Sequence, residues 1–177
     1  MTSNEIRVLA QTKSGQQISE PMGLELVKEA IDLLALDYYL IGKLTIENLV
    51  ATKDTPIELS ARPLKIVSIS NDRKLLNPSC DYELDDNRLI FNDNGTYTIK
   101  YYAEPVKPNI ATDNLTIPYE YQNCIAQYVS AITRARLFGQ SDSNAVSFFQ
   151  QFAEGATKAN NAYIRKKTTG KRLPPRR

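Results

Sequence analysis

The spacing of apolar residues changes twice along this chain, and those two changes restrict the fold more than any motif does. Between about residues 20 and 36, Leu24, Val27, Ala30, Ile31 and Leu34 recur at helical intervals with acids on the opposite face. Ser19 is placed to cap that helix, with Pro21 tolerated in its first turn, while Gly23 weakens its start. From about 38 to 104 the period drops to two and the segments shorten. Leu44, Ile46, Leu49 and Val50 alternate imperfectly, then Ile57 and Leu59, L-K-I-V-S-I, C-D-Y-E-L, R-L-I-F and T-Y-T-I-K-Y-Y follow, separated by Asp, Asn, Pro and Gly. This predicts four to six short antiparallel strands. Turn signals D-D-N and N-D-N-G join the last three into an expected meander, whose Tyr97, Ile99 and Tyr101 share a face that should pack on helices.

Past Pro118 the helical period returns. Tyr121, Cys124, Ile125, Tyr128, Val129, Ile132 and Ala135 form one stripe, predicting a helix over 118–138 that stops at Gly139. Ser141, Asp142 and Ser143 then offer capping oxygens to a helix over 142–167. Along it Ala145, Phe149, Phe152, Ala156, Ala159 and Tyr163 lay a narrow seam. The short link makes the two helices antiparallel neighbours. The fold class is therefore α+β: a small bundle of three main helices with an inserted antiparallel sheet or meander. At 177 residues one domain, 19–164, is expected, between an N-terminal arm at 1–18 and a basic C-terminal tail at 165–177.

Charge is distributed unevenly. Residues 1–164 carry 15 Lys and Arg against 20 Asp and Glu, whereas Arg165, Lys166, Lys167, Lys171, Arg172, Arg176 and Arg177 close the chain with no acid among them. An arm of this kind meets a nucleic acid or an acidic protein surface. Thr168, Thr169, Gly170, Pro174 and Pro175 oppose further helix, so an extended arm is expected. No helix resembles a groove reader, which favours docking on protein over specific DNA reading.

Catalytic chemistry finds little support. The chain has no histidine, which removes the commonest general base and most zinc sites, and no Gly-rich phosphate loop. The densest carboxylates, Asp81, Glu83, Asp85 and Asp86, would suit a calcium or acid-base site only if they converged. Their alternation with Tyr82 and Leu84 instead assigns them to the solvent face of a strand entering a turn. Ten tyrosines invite a stacking platform from Tyr38, Tyr39, Tyr101, Tyr102, Tyr119 and Tyr121, but half-buried sheet faces and subunit contacts account for them more simply. Cys80 and Cys124 are too few for a disulfide framework and are read as half-buried thiols. No apolar run is long enough for a membrane span and the polar start lacks a signal-peptide layout, so a soluble product without cofactor or metal is expected.

The segments T-I-K-Y-Y-A-E-P, L-T-I-P-Y-E-Y-Q-N-C-I-A-Q-Y-V-S-A-I-T-R-A-R-L-F and A-V-S-F-F-Q-Q-F, in that order, resemble the head-tail adaptor (connector, or head-completion) proteins of tailed bacteriophages, over roughly residues 20–167. The resemblance implies a non-enzymatic virion protein of the phage neck, made in the host cytoplasm. It implies a homo-oligomeric ring, usually of twelve copies, joining the portal protein to further neck or tail proteins and continuing the DNA channel. Under it, the seven tail cations become candidates to dock on the portal and, secondarily, to touch channel DNA. Two other classes compete. One is a small sugar- or peptide-binding domain of a tail or baseplate component, and the other is an enzyme built on Asp81, Glu83 or Asp86.

Overall fold

The computed structural model describes residues 1–71 and 74–169, the last three as backbone, and has an α+β fold. Two compact units divide the chain, rather than the single domain that its length suggests. One joins Met1–Ile41 to the chain from Val106 onward, and the other is Gly42–Pro105.

The first unit is helical and has four helices among its described residues, not three: α1 (Ser3–Ser14), α2 (Glu20–Asp37), α3 (Tyr119–Phe138) and α4 (Ser143–Thr169). Helix α1 replaces the expected N-terminal arm. Thr2 and Glu5 form a capping box, in which the Thr2 hydroxyl accepts from the Glu5 amide at 3.1 Å and the Glu5 carboxylate accepts from the Thr2 amide at 2.8 Å. Gly15 closes the helix at φ 67°, a left-handed conformation that a residue with a Cβ adopts only under strain. The buried stripe is Ser3, Ile6, Ala10 and Ser14. Only one of those four is a large apolar residue, which hides the period from a hydrophobicity reading.

Small side chains let α1 lie against α3. Ser130 Oγ donates to the Ala10 carbonyl at 3.2 Å, and Arg134 Nη1 donates to the Ser14 carbonyl at 3.2 Å. The two pairs share one sequence offset, so the helices run parallel and in register. Helix α2 has the expected span and buries Leu26, Val27, Ala30, Ile31 and Leu34. Its N-cap Ser19 makes no side-chain capping bond, and Pro21 in the first turn removes one orphan donor instead.

Helices α3 and α4 are antiparallel, as the short link requires. Their contacts pair Tyr121 with Asn160 at 3.0 Å, the Tyr128 ring with the Phe152 ring at 5.2 Å, and Arg134 with Asp142 at 2.8 Å. One number climbs as the other falls. The expected seam is in place, with Ala145, Ala156 and Ala159 buried. Gly155 sits so close to α3 that a Cβ there would lie 2.9 Å from the Cys124 Cβ. Asp142 caps α4 by accepting the Ala145 amide at 2.9 Å.

The second unit contains β1 (Lys43–Ala51), β2 (Ile57–Glu58), β3 (Pro63–Ser70), β4 (Tyr82–Asp85), β5 (Arg88–Phe91) and β6 (Gly95–Ala103). They form two three-stranded antiparallel sheets, ordered β1-β6-β3 and β2-β5-β4. The D-D-N signal makes the β4–β5 hairpin, with Asp86 in the left-handed region at φ 53°. The meander does not continue, because β6 pairs on one edge with β1 from Lys43↔Ala103 to Ala51↔Gly95 and on the other with β3. Both edges of β5 are likewise taken, by β2 and β4. The inward face of β6 packs on the second sheet rather than on helices: Tyr97, Ile99 and Tyr101 cluster with Ile69, Leu89 and Phe91. The Phe91 and Tyr97 rings stack at 4.0 Å between centroids, 5° from parallel.

Candidate functional site

An open groove of about 600 Å³ lies in the second unit, along the outer sides of β3 and β4. Pro63, Leu64 and Ile66 form one wall, and Pro78, Tyr82 and Leu84 form the other. Two topological facts build it. Strand β3 is paired on its β6 side, and among the described residues its outer edge meets an isolated bridge from Leu75 at Ser70; β4 is the outermost strand of the second sheet, bridged at Tyr82 by Pro78, with the Ser79 amide donating to the Tyr82 carbonyl at 2.9 Å. Register shifts between Pro63 and Lys65, and between Ile66 and Ser68, add twist to the β3 wall. Tyr82 is buried at the floor with its ring 6.3 Å from that of Phe91, while Leu84 stays 44% exposed at the rim.

Acidic groups line the β4 side without converging. Asp81 accepts Lys74 Nζ at 2.6 Å and the Asn77 amide at 2.8 Å; that backbone donor, then Lys74, hold its carboxyl below the usual carboxylate value. Asp86 pairs with Arg62 at 2.8 Å. Glu83 and Asp85 are exposed and enter no ion pair among the described residues. The four carboxylates thus have separate tasks, and no three ligating side chains gather as a metal site among the described residues.

A tighter polar cluster lies under β1. Tyr101, fully buried, donates its hydroxyl to Glu47 Oε1, and Ser60 Oγ donates to the same oxygen. Burial pushes the Glu47 carboxyl up, but the bonds from Ser60 and then Tyr101 outweigh it and leave the group below its ordinary value. A general base needs the opposite adjustment, so this arrangement ties β1 to β6 and the Ser60 turn rather than preparing a proton acceptor.

The tyrosines form no platform. Tyr101 and Tyr121 are fully buried and Tyr102 nearly so, and Tyr38 leans on Tyr121 at 6.1 Å; of the six, Tyr119 alone is exposed, at 66%. Burial raises the Tyr121 and Tyr128 hydroxyls above their usual range. Cys124 is buried, with its thiol pushed up to about 12 by burial, whereas Cys80 is exposed.

Of the seven tail cations, Arg165, Lys166 and Lys167 lie on α4, which is expected to 167 and is described to Thr169. Lys166 Nζ reaches across to Glu120 at the start of α3, and that contact is the main reason the Glu120 carboxyl falls below its usual value. Lys171, Arg172, Arg176 and Arg177 lie outside the described residues. Sequence reading missed the groove, whose walls come from segments a dozen or more residues apart and exist only once both sheets are paired. No helix among the described residues is long and apolar enough to cross a membrane. No protein-family model and no curated protein matches this chain.

Proposed function

We propose that this chain is a structural subunit of a phage neck: a non-enzymatic ring protein that joins the portal to further neck or tail proteins and continues the DNA channel. The observation that carries the reading is the outward face of β1. Leu44, Ile46 and Val50 occupy the positions that alternate with the inward Glu47 and Leu49, and they are 38%, 60% and 80% exposed. A lone sheet normally turns polar residues to water, so an apolar outer face suits a strand that is covered after assembly. A closed ring needs a second, different face to receive it. Leu36 and Val106 on the helical unit, 81% and 71% exposed, supply apolar surface for that role.

The cations from Arg165 onward are the portal-docking candidates, with DNA in the channel a secondary contact. The competing reading, a peptide- or sugar-binding domain, draws its support from the groove on β3 and β4, which falls in the size range of ligand sites.

Light scattering after size exclusion, with negative-stain imaging, tests the proposal alone and with assembled portal. Ring particles are expected from the purified chain, or assembly on the portal. Ile46→Asp with Val50→Lys should abolish them while leaving the circular-dichroism spectrum unchanged. A wild-type chain that stays monomeric at all concentrations and ignores portal would refute the reading.

A further inference from the structure

The β3–β4 groove has the buried Tyr82 at its floor, an outer β3 edge that pairs with no strand among the described residues, Leu84 at its rim, and Glu83 in its lining with the exposed Asp85 two residues further along β4. Those features define an occupant: a short, extended peptide with an apolar or proline centre and flanking cations. Strand edges accept extended backbone, aromatic-lined grooves accept polyproline segments, and exposed carboxylates select Arg or Lys beside them. The only lysine in the walls is Lys65, on the β3 side.

The chain itself contains such a peptide. Beyond Thr169, the last described residue, come Gly170, Lys171, Arg172, Leu173, Pro174, Pro175, Arg176 and Arg177: a Leu-Pro-Pro centre between two pairs of cations. Proline fixes φ near the polyproline value and pushes the preceding residue to extended backbone. At about 3.1 Å per residue, eight such residues reach about 25 Å. That exceeds the length of the four-residue β4, about 13 Å.

We propose that the β3–β4 groove binds residues 170–177 of a second copy of this chain, with Leu173, Pro174 and Pro175 over Tyr82 and Leu84 and the flanking cations on Glu83 and Asp85. The inference rests on the ring reading and deepens it by naming one contact between copies. A tail held by the next subunit is also a heterologous contact, the kind that ring closure requires.

The test uses the full chain with the photo-cross-linker p-benzoylphenylalanine at Leu84, mixed with an isotope-labelled wild-type copy and irradiated without portal or DNA. Digestion after glutamate releases the tail within a peptide beginning at Gly155. Cross-links joining that labelled peptide to the unlabelled β4 peptide are expected. Their yield should fall about tenfold when Glu83→Lys and Asp85→Lys are combined, since each reversal replaces an attraction by a repulsion, and should fall again as salt is raised. A second probe at Lys65 keeps the test decisive should the Leu84 substitution disturb β4. Tail cross-links absent from both probes, confined to a single copy, or indifferent to the charge reversals would overturn the proposal, as would tail cross-links that appear only when duplex DNA is added. Rings without this cross-link would leave the neck reading intact, and the cross-link without rings or portal binding would count against the neck reading alone.

Discussion

Replacing Phe91 by alanine should loosen the whole β unit. Phe91 is fully buried where the two sheets meet, stacked on Tyr97 at 4.0 Å and tilted against Tyr82 at 6.3 Å. Truncating a buried phenylalanine costs about 3–5 kcal/mol in lost transfer energy and residual cavity. A unit of the size of Gly42–Pro105 has about 3–10 kcal/mol of stability in all. The variant therefore gives up between a third and all of what holds the sheets together. Hydrogen exchange followed by mass spectrometry on peptides covering β5 and β6 reads this directly, because exchange of core amides follows the free energy of opening. At about 1.4 kcal/mol per tenfold, exchange in those peptides should accelerate by about two to nearly four orders of magnitude. Phe91→Leu keeps most of the volume but loses the ring stack, worth about 0.5–1.5 kcal/mol, and should fall between wild type and the alanine variant. Acceleration below tenfold in Phe91→Ala would refute the assignment of the core to this inter-sheet contact.

Three further outcomes follow from the helical unit and the thiols. Arg134 is the main cause that holds the Asp142 carboxyl below its ordinary value, helped by the Ala145 amide. A depressed folded pKa gives stability that is present above the unfolded value of about 3.9 and lost as pH falls through the folded value. Asp142→Asn should therefore melt below wild type at pH 7, with the two converging near pH 2; an undiminished gap there would contradict the linkage. Gly155→Leu should lower the urea midpoint by the equivalent of about 1–3 kcal/mol, because α4 must move off Cys124; an unchanged midpoint would show that the close approach is not needed. Iodoacetamide at pH 8 should add to Cys80 alone in the native protein and to both cysteines in denaturant, since the Cys124 thiol is buried and pushed up to about 12. A native double adduct would show that α3 and α4 part more readily than their packing implies.

Helices α2 and α3 were legible because each buries a stripe that includes large apolar residues, and α4 because its buried Ala145, Ala156 and Ala159 share one seam with the half-buried Phe149 and Phe152; a stripe of that kind has one period only. Helix α1 carries its signal in polar atoms, the Thr2–Glu5 box, and buries Ser3 and Ser14 where a pattern search expects Leu. The hairpin of β4 and β5 was readable from its turn residues. The partners of β6 were not, since β1 and β3 pair with it across dozens of residues and the N-D-N-G link allows either outcome. Helix α4 is described to Thr169, two residues past the expected 167. Thr168 and Thr169 disfavour helix only slightly, and the contact of Lys166 with Glu120, which helps hold the last turns, is tertiary. Of the candidate site, the cationic run was evident in the sequence while the groove was not, since a strand edge is defined by what fails to pair with it.

The pairing Lys43↔Ala103 carries a consequence for how such a chain can vary. The strands by which the polypeptide arrives in the β unit and departs from it are hydrogen-bonded neighbours, so their ends stand about 5 Å apart. A cassette with adjacent ends can be lengthened, exchanged for another sheet or trimmed to a tight turn at little topological cost to the surrounding chain. Lineages could then diversify the 42–105 cassette quickly around a slowly changing helical frame, and sequence similarity among relatives would survive mainly in α2, α3 and α4.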